Sequence, residues 1–306
     1  MNFNFIKFHK IYYLFSGLLV VGSIVALIMF GLKFSIDFKG GSILELEFQN
    51  VRPTNQIIQD KIKDLNLGEV ILQPTGEKGL ILRTKEIDES THQALKNKLS
   101  KPSPFTEKSF ETVGPLIGQE LAQKTWKVII LSLIAMLIYI ALAFRKVKKP
   151  ISSWQYGLFS VLALAHNVLV PMGVFAVLGR YNNVEVGVPF VVALLTIVGY
   201  SINDTVVVFD RIRENLLKRA SENFEEVVNI SLNQTFGRSI NTVLTVLFSL
   251  VVIYFFGGET LKYFVLTMII GIAVGAYTSV FIASPLLVTW WKRKFKRVDP
   301  VRSSHL

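Results

Sequence analysis

Six stretches of this chain are apolar for long enough to cross a lipid bilayer, and they determine the solvent to which the fold must answer. They lie near residues 11–32, 125–144, 156–178, 186–209, 239–257 and 263–288. Each approaches or exceeds the roughly 20 residues that a helix needs to span the hydrocarbon core. Hydrophobic residues make up 51% of the 306-residue chain without counting glycine. Soluble domains reach roughly 45–50% only when glycine is counted. The expected fold is an α-helical polytopic membrane protein with six transmembrane helices. The first run follows a basic flank (Lys7, His9, Lys10), as a signal peptide would, but it is too long for a signal peptide's apolar core. No small-residue cleavage site follows it, only "GLKFS", so it reads as an uncleaved anchor.

Orientation follows from where the short loops carry lysine and arginine. Lys7 and Lys10 precede the first span, "RKVKK" (145–149) follows the second, "DRIRENLLKR" (210–219) the fourth and "KRKFKR" (292–297) the sixth. All four fall on one side if the helices alternate. The other side receives "GRYNNVE" (179–185) and "GGETLK" (257–262), which are nearly neutral. Both termini are expected in the cytoplasm and the long segment between spans 1 and 2 outside. The net charge of +11 suits loops that face anionic lipid. No basic stripe interleaved with aromatics supports nucleic-acid binding. With no cysteine, disulfides and thiolate metal sites are excluded.

Residues 35–118 are polar enough to form a folded domain. "GSILELEF" (41–48) alternates like a strand, and "PTNQIIQDKIKDLNL" (53–67) carries helical spacing with Thr54 as a candidate N-cap. "EVILQP" (69–74) and "GLILRT" (79–84) flank the hairpin signal "TGEKG". "DESTHQALKNKLS" (88–100) is a second helix and "FTEKSFETV" (105–113) a last strand. The order βαββαβ predicts a ferredoxin-like α+β domain outside the membrane, inserted between helices 1 and 2. The organisation is then 1–34 N-terminus and helix 1, 35–118 outer domain, 119–290 five-helix bundle and 291–306 basic cytoplasmic tail.

Asp204 interrupts the fourth span. Val186 to Tyr200 contains no charge, and Asp204 lies six residues before Asp210, or about 9 Å along a helix. An aspartate at a helix centre in a bilayer costs about 2.5–3.5 kcal/mol on translocon scales. Two readings fit: a structural carboxylate paired with a cation, or a group that binds and releases protons. The obvious cation is Arg238, at the start of the fifth span. It either snorkels to the interface or belongs to a polar face formed with Thr235, Thr242, Thr245 and Ser249 at spacings of three and four. In the third span His166 and Asn167 sit near the middle, and Ser160, Ala163, Asn167 and Pro171 share a small or polar face. His166 reads either as a proton relay or as a satisfied packing residue. Gly271, Gly275 and Ser279 form a close-packing face on the sixth span.

No enzyme or cofactor reading survives. His9, His92, His166 and His305 have no metal-ligand spacing, "FKGGS" is not a phosphate loop, and no Ser/His/Asp arrangement is suggested. The "NDT" sequon at 203–205 falls in a span.

"DFKGG" (37–41), "VGPLIGQEL" (113–121), "GYSINDTVVVFDRIREN" (199–215) and "QTFGRSINT" (234–242) follow one another along nearly the whole chain. In these motifs the sequence resembles the SecF family of bacterial protein-export proteins, in the resistance-nodulation-division superfamily. The resemblance implies a partner of SecD that uses the proton motive force to help preproteins leave the SecYEG channel on the outer side of the cytoplasmic (inner) membrane, with YajC as a further candidate partner. By matching position, Asp204 and Arg238 become the family's intramembrane charged pair. Asn203, Thr242, His166 and Asn167 become its neighbours, and Asp37, Gly40 and Gly41 the motif just outside helix 1. Where relatives often carry His-Asp, this chain has His166-Asn167. Two other readings stay open: half of a proton-driven exporter of small molecules or lipids, and a translocase scaffold that moves no protons.

Overall fold

The structure, a computed structural model, describes residues 3–101, 103–143 and 151–298. The basic run 145–149, the last residues of the basic tail and His305 lie outside the described residues. Among the described residues six helices are long and apolar enough to cross a membrane. They are α1 (His9–Phe30), α5 (Pro115–Ala143), α6 (Ser153–Asn182), α7 (Val188–Leu217), α8 (Phe224–Phe256) and the pair α9 (Glu259–Thr278) and α10 (Ser284–Val298). The last two are joined without a break through a π-helical turn, Ser279–Ala283.

Several helices run well beyond their apolar cores. α8 begins fifteen residues before the apolar run at 239, at an Asn223 N-cap whose Oδ1 accepts from the Glu225 amide at 2.9 Å, with Glu225 and Glu226 in the first turn. At ~1.5 Å per residue its 33 residues span about 50 Å, against ~30 Å of hydrocarbon. Arg238, expected at the entrance of a span, is therefore close to mid-helix. α5 likewise starts at Pro115, because Pro suits the first helical position and "QELAQK" continues with good helix formers.

The chain divides into two compact units. One takes the residues up to Lys33 and those from Ile129 on; the other is Phe34–Val128. In the first, α9 packs on α6, α7 and α8, while α1 lies against α6. One apolar cluster gathers around Tyr156, Phe209, Ile212 and Leu287. A second gathers around Phe175, Phe190, Ile197 and Ile272. Gly271 and Gly275 permit the α7–α9 approach: a Cβ on Gly271 would lie 2.2 Å from Ile197 Cδ1, and one on Gly275 3.1 Å from Ser201 Oγ. The predicted close-packing face is thus a real contact.

The second unit opens with a short helix, α2 (Ile36–Lys39), and continues with β1 (Gly41–Phe48), α3 (Asn55–Ile62), β2 (Ile71–Thr75), β3 (Gly79–Thr84), α4 (Glu89–Ser100) and β4 (Phe105–Val113). The sheet is antiparallel throughout in the order β2-β3-β1-β4, which is the ferredoxin-like topology. Alternation in β1 and β3 sends Leu44, Leu46, Phe48, Leu80 and Leu82 into one core with Ile58 and Ile62 of α3 and Leu95 and Leu99 of α4. Thr54 stands at the N-cap of α3 but its side chain makes no capping bond. The working cap is Asp88 on α4, which accepts from the Thr91 amide at 3.0 Å and from Ser90 Oγ at 2.8 Å. Hydrogen bonds from Thr91 first, then Ser90, pull its carboxyl down to about 2.

The motif glycines after α2 have a structural task. Gly40 (φ 78°) and Gly41 (φ 138°) occupy conformations that side chains rarely adopt. A Cβ on Gly40 would lie 2.7 Å from Pro115 Cα, and one on Gly118 2.9 Å from the Gly40 amide nitrogen. Gly41 is closed off by Thr84 O at 2.7 Å. "DFKGG" and "VGPLIGQEL" thus meet backbone to backbone, clamping the start of the sheet to the start of α5. Gly76, in the β2–β3 turn, also has positive φ (60°) but open space around its Cβ position. Gly76→Ala should therefore carry only the left-handed strain of roughly 1–2 kcal/mol, whereas Gly40→Ala adds a backbone clash. In thermal unfolding of the purified protein, Gly40→Ala should lower the midpoint clearly more than Gly76→Ala. Equal losses would mean the clamp yields freely.

Candidate functional site

α7 carries Asp204 near its middle, and α8 packs against that face. Ser239 of α8, 3% exposed, donates its hydroxyl to Asp204 Oδ1 at 2.6 Å. The second carboxyl oxygen, Oδ2, is buried and has no partner among the described residues. The expected Asp204–Arg238 ion pair is not formed. Arg238 is exposed, and no ion pair joins it to any described residue.

Helix geometry accounts for the difference. On α8 the buried row runs Ser231, Thr235, Ser239, Val243 at four-residue spacing, and Arg238 lies one residue, about 100°, round from it. The polar face read from the sequence therefore splits. Thr235 is buried, but Arg238, Thr242, Thr245 and Ser249 line the outside of the bundle, with Asn203 exposed on α7. Their hydroxyls turn inward to the backbone: Thr242 to Arg238 O at 2.9 Å, Thr245 to Thr242 O at 2.8 Å, and Ser249 to Thr245 O at 3.1 Å. Tyr200 adds a bond to Thr242 O at 3.1 Å. Beside Arg238 a cavity of about 410 Å³ opens between α7 and α8, lined by Asp210, Arg211, Arg213, Glu214 and Gln234 among others. In it Arg213 pairs with Asp210 at 3.4 Å and Arg211 with Glu214 at 2.7 Å.

His166 and Asn167, on α6, belong to a separate cluster packed against another face of α7. Asn167, fully buried, donates Nδ2 to Ser201 Oγ at 2.6 Å. His166 Nδ1 lies 3.2 Å from Thr278 Oγ1 and 3.4 Å from Asn167 Oδ1. Thr205 and Ser279 exchange a hydroxyl bond at 2.9 Å. His166 Nε2 is buried without a partner among the described residues. No hydrogen bond among the described residues connects this cluster with Asp204. Asp37, Gly40 and Gly41 lie in the other unit, in the clamp described above.

The residue that sequence reasoning missed is Ser239. A serine in an apolar helix usually bonds its own carbonyl four residues back, so it carries no signal alone. The usable signal was its place in the four-spaced row with Ser231 and Thr235. Among the described residues no group of three His, Asp and Glu could hold a metal ion.

The arrangement has relatives. The pattern described as "Protein export membrane protein SecD/SecF, C-terminal" matches residues 93–293, and the "SecD/SecF GG Motif" matches residues 25–50. The chain belongs to the SecD/SecF family. It is 40% identical to the protein translocase subunit SecF of Thermobaculum terrenum over 96% of both chains, and 35% identical to that of a Synechocystis, covering 99% of this chain and 98% of the other. Among solved structures, a Thermus SecDF, described as a translocon-associated membrane protein, superposes with a TM-score of 0.83 at 31% identity over 95% of this chain. The match takes up 39% of that longer chain, so this chain spans about two fifths of a SecDF polypeptide. The glycine clamp is the SecD/SecF GG motif at work in backbone packing.

The Asn167 pocket contains hydrogen-bonding groups on two sides, Ser201 and His166, whereas Leu133 on α5 is exposed on a bare apolar surface. Asn167→Asp should accordingly be retained in membranes at a higher folded level than Leu133→Asp. Equal loss of the two would show that the pocket cannot serve a carboxyl.

Proposed function

We propose that the chain is the SecF-type half of a SecDF assembly in the bacterial cytoplasmic membrane. There, with SecD, it uses proton movement through the Asp204 site to help preproteins leave the SecYEG channel. YajC is a further proposed member. One observation carries the reading: a half-buried carboxyl on α7 with one oxygen held by a single hydroxyl and the other buried without a partner among the described residues. Arg238 stays charged at any relevant pH, so the carboxyl is the member of the site that can titrate. A stripe of Arg238, Thr242, Thr245 and Ser249 facing hydrocarbon would be costly. A second half, for which the longer SecDF chain has the length, would give that stripe a polar neighbour. The loop charges support a topology with both termini in the cytoplasm and the ferredoxin-like domain outside, where it would meet the emerging preprotein.

Reporter fusions test the topology. A fusion after Lys85 should report an external location and one after Arg219 a cytoplasmic one. A cytoplasmic signal at Lys85 would overturn orientation and function together. Lys149, the equivalent fusion point in the loop after α5, lies outside the described residues.

The proton role is tested in membrane vesicles with and without an uncoupler. Asp204→Asn keeps an acceptor for Ser239 and should leave a folded, SecD-associated protein. Its gradient-dependent stimulation of export should be lost, and Asp204→Glu should retain part of it. Full gradient-dependent stimulation in Asp204→Asn would make the carboxyl structural and leave a scaffold.

A further inference from the structure

The six serines and threonines of α8 divide unevenly. Ser231 donates to Val227 O at 2.7 Å and Thr235 to Ser231 O at 2.9 Å. Thr242, Thr245 and Ser249 likewise turn back to their own helix. This is the default for a hydroxyl in an apolar helix, because the nearby carbonyl satisfies it without a partner. Ser239 alone among them sends its hydroxyl across to another helix, to Asp204 Oδ1 at 2.6 Å. It does so from a buried position, where a hydroxyl must be hydrogen-bonded and a wrong choice of partner is penalised.

We infer that Ser239 is the positioning residue of the Asp204 carboxyl, fixing Oδ1 so that the proton is taken up on Oδ2. This rests on the reading of Asp204 as the proton-carrying group. The hydroxyl has one proton to give. While it points at Oδ1 it engages one of that oxygen's lone pairs, and a proton on Oδ1 would turn that oxygen into a poorer acceptor and weaken the bond more than a proton on Oδ2 would. Oδ2 is buried with its lone pairs unengaged, so an incoming proton forms its O–H bond there. The proton comes from a hydronium ion, whose O–H bond breaks to leave water as the Oδ2–H bond forms, and the carboxylate becomes a neutral acid. The Ser239 bond then changes from charge-assisted to neutral, roughly halving its strength. Protonation therefore loosens the α7–α8 contact at the point next to Arg238. The other charged or titratable side chains whose field reaches Asp204 are Arg238 from α8 and Tyr200 from α7.

The test is an infrared titration of the complex with SecD, reconstituted in lipid. The carboxyl stretch of Asp204 is identified by its loss in Asp204→Asn. Removing a donor that favours the charged form makes protonation easier. Ser239→Ala should therefore move the pH of half-protonation upward by about one unit. The pH profile of gradient-stimulated export should move with it. Ser239→Thr keeps the hydroxyl and should restore both. Ser239→Cys, a weaker donor, should fall between, and it serves with Ser239→Thr if Ser239→Ala does not fold. Titration of the wild-type band with no displacement in the variants would overturn this inference and leave the proton reading intact. The absence of any titrating band in the wild type would overturn the proton reading itself.

Discussion

A polar group carried into hydrocarbon must find its hydrogen bonds within the protein, since neither water nor lipid tails will supply them. Much of the six-helix unit follows from that constraint. Most hydroxyls on α8 meet it by folding back on their own carbonyls. The inner face of α7 meets it differently. Asn167 bonds to Ser201, Thr205 to Ser279 and His166 to Thr278, all across element boundaries, and these side chains are almost entirely buried. The π-helical turn belongs to the same solution. Widening the helix by one residue lets Ser284 donate to Ser279 O at 3.2 Å and aims Ser279 at Thr205.

The ferredoxin-like domain obeys the complementary constraint of backbone packing. A four-stranded sheet with two helices on one face needs a defined place to start, because a register slip of one residue would turn Leu44, Leu46 and Phe48 to the wrong side. Gly40, Gly41 and Gly118 provide that place by bringing main chain against main chain with no side chain between. The contact also fixes how α5 begins relative to β1. A movement of the first turns of α5 would therefore be felt by the sheet directly, without a lever of flexible side chains.

Much of this was legible in the sequence. Six apolar runs gave six spanning helices, and alternation plus turn residues gave βαββαβ with strand limits good to a residue or two. Helix ends were less legible. The apolar count marks the part of a helix in lipid, whereas α5 and α8 continue through "QELAQK" and "FEEVVNISLNQ", where ordinary helix propensity takes over. The side-chain geometry of the site was only half legible. Asp204 announced itself as a charge in an apolar run. Its partner did not, because Arg238 is conspicuous and Ser239 is not. A shift of one residue on a helix decides which of the two faces α7, and periodicity in a stripe as short as this one does not resolve 100°.

The two polar clusters on α7 differ in a way that bears on the proposed function. The Asn167 cluster pairs amide and hydroxyl groups with one another and with Nδ1 of His166 inside the bundle, and a network of that kind favours one arrangement. The Asp204 site lies toward the outside, held by one bond, with an oxygen that has no partner among the described residues on one side and the exposed Arg238, in no ion pair with a described residue, on the other. A site so sparsely satisfied has more than one arrangement of comparable energy, which a switch requires. On the proposed reading, the second half of the assembly would cover the Arg238 stripe and supply what the site lacks. That makes the division of polar groups functional. The fixed cluster holds α6, α7 and α9 as one body. The loosely held carboxyl then lies at the contact with α8, where gaining or losing one proton changes the strength of one bond.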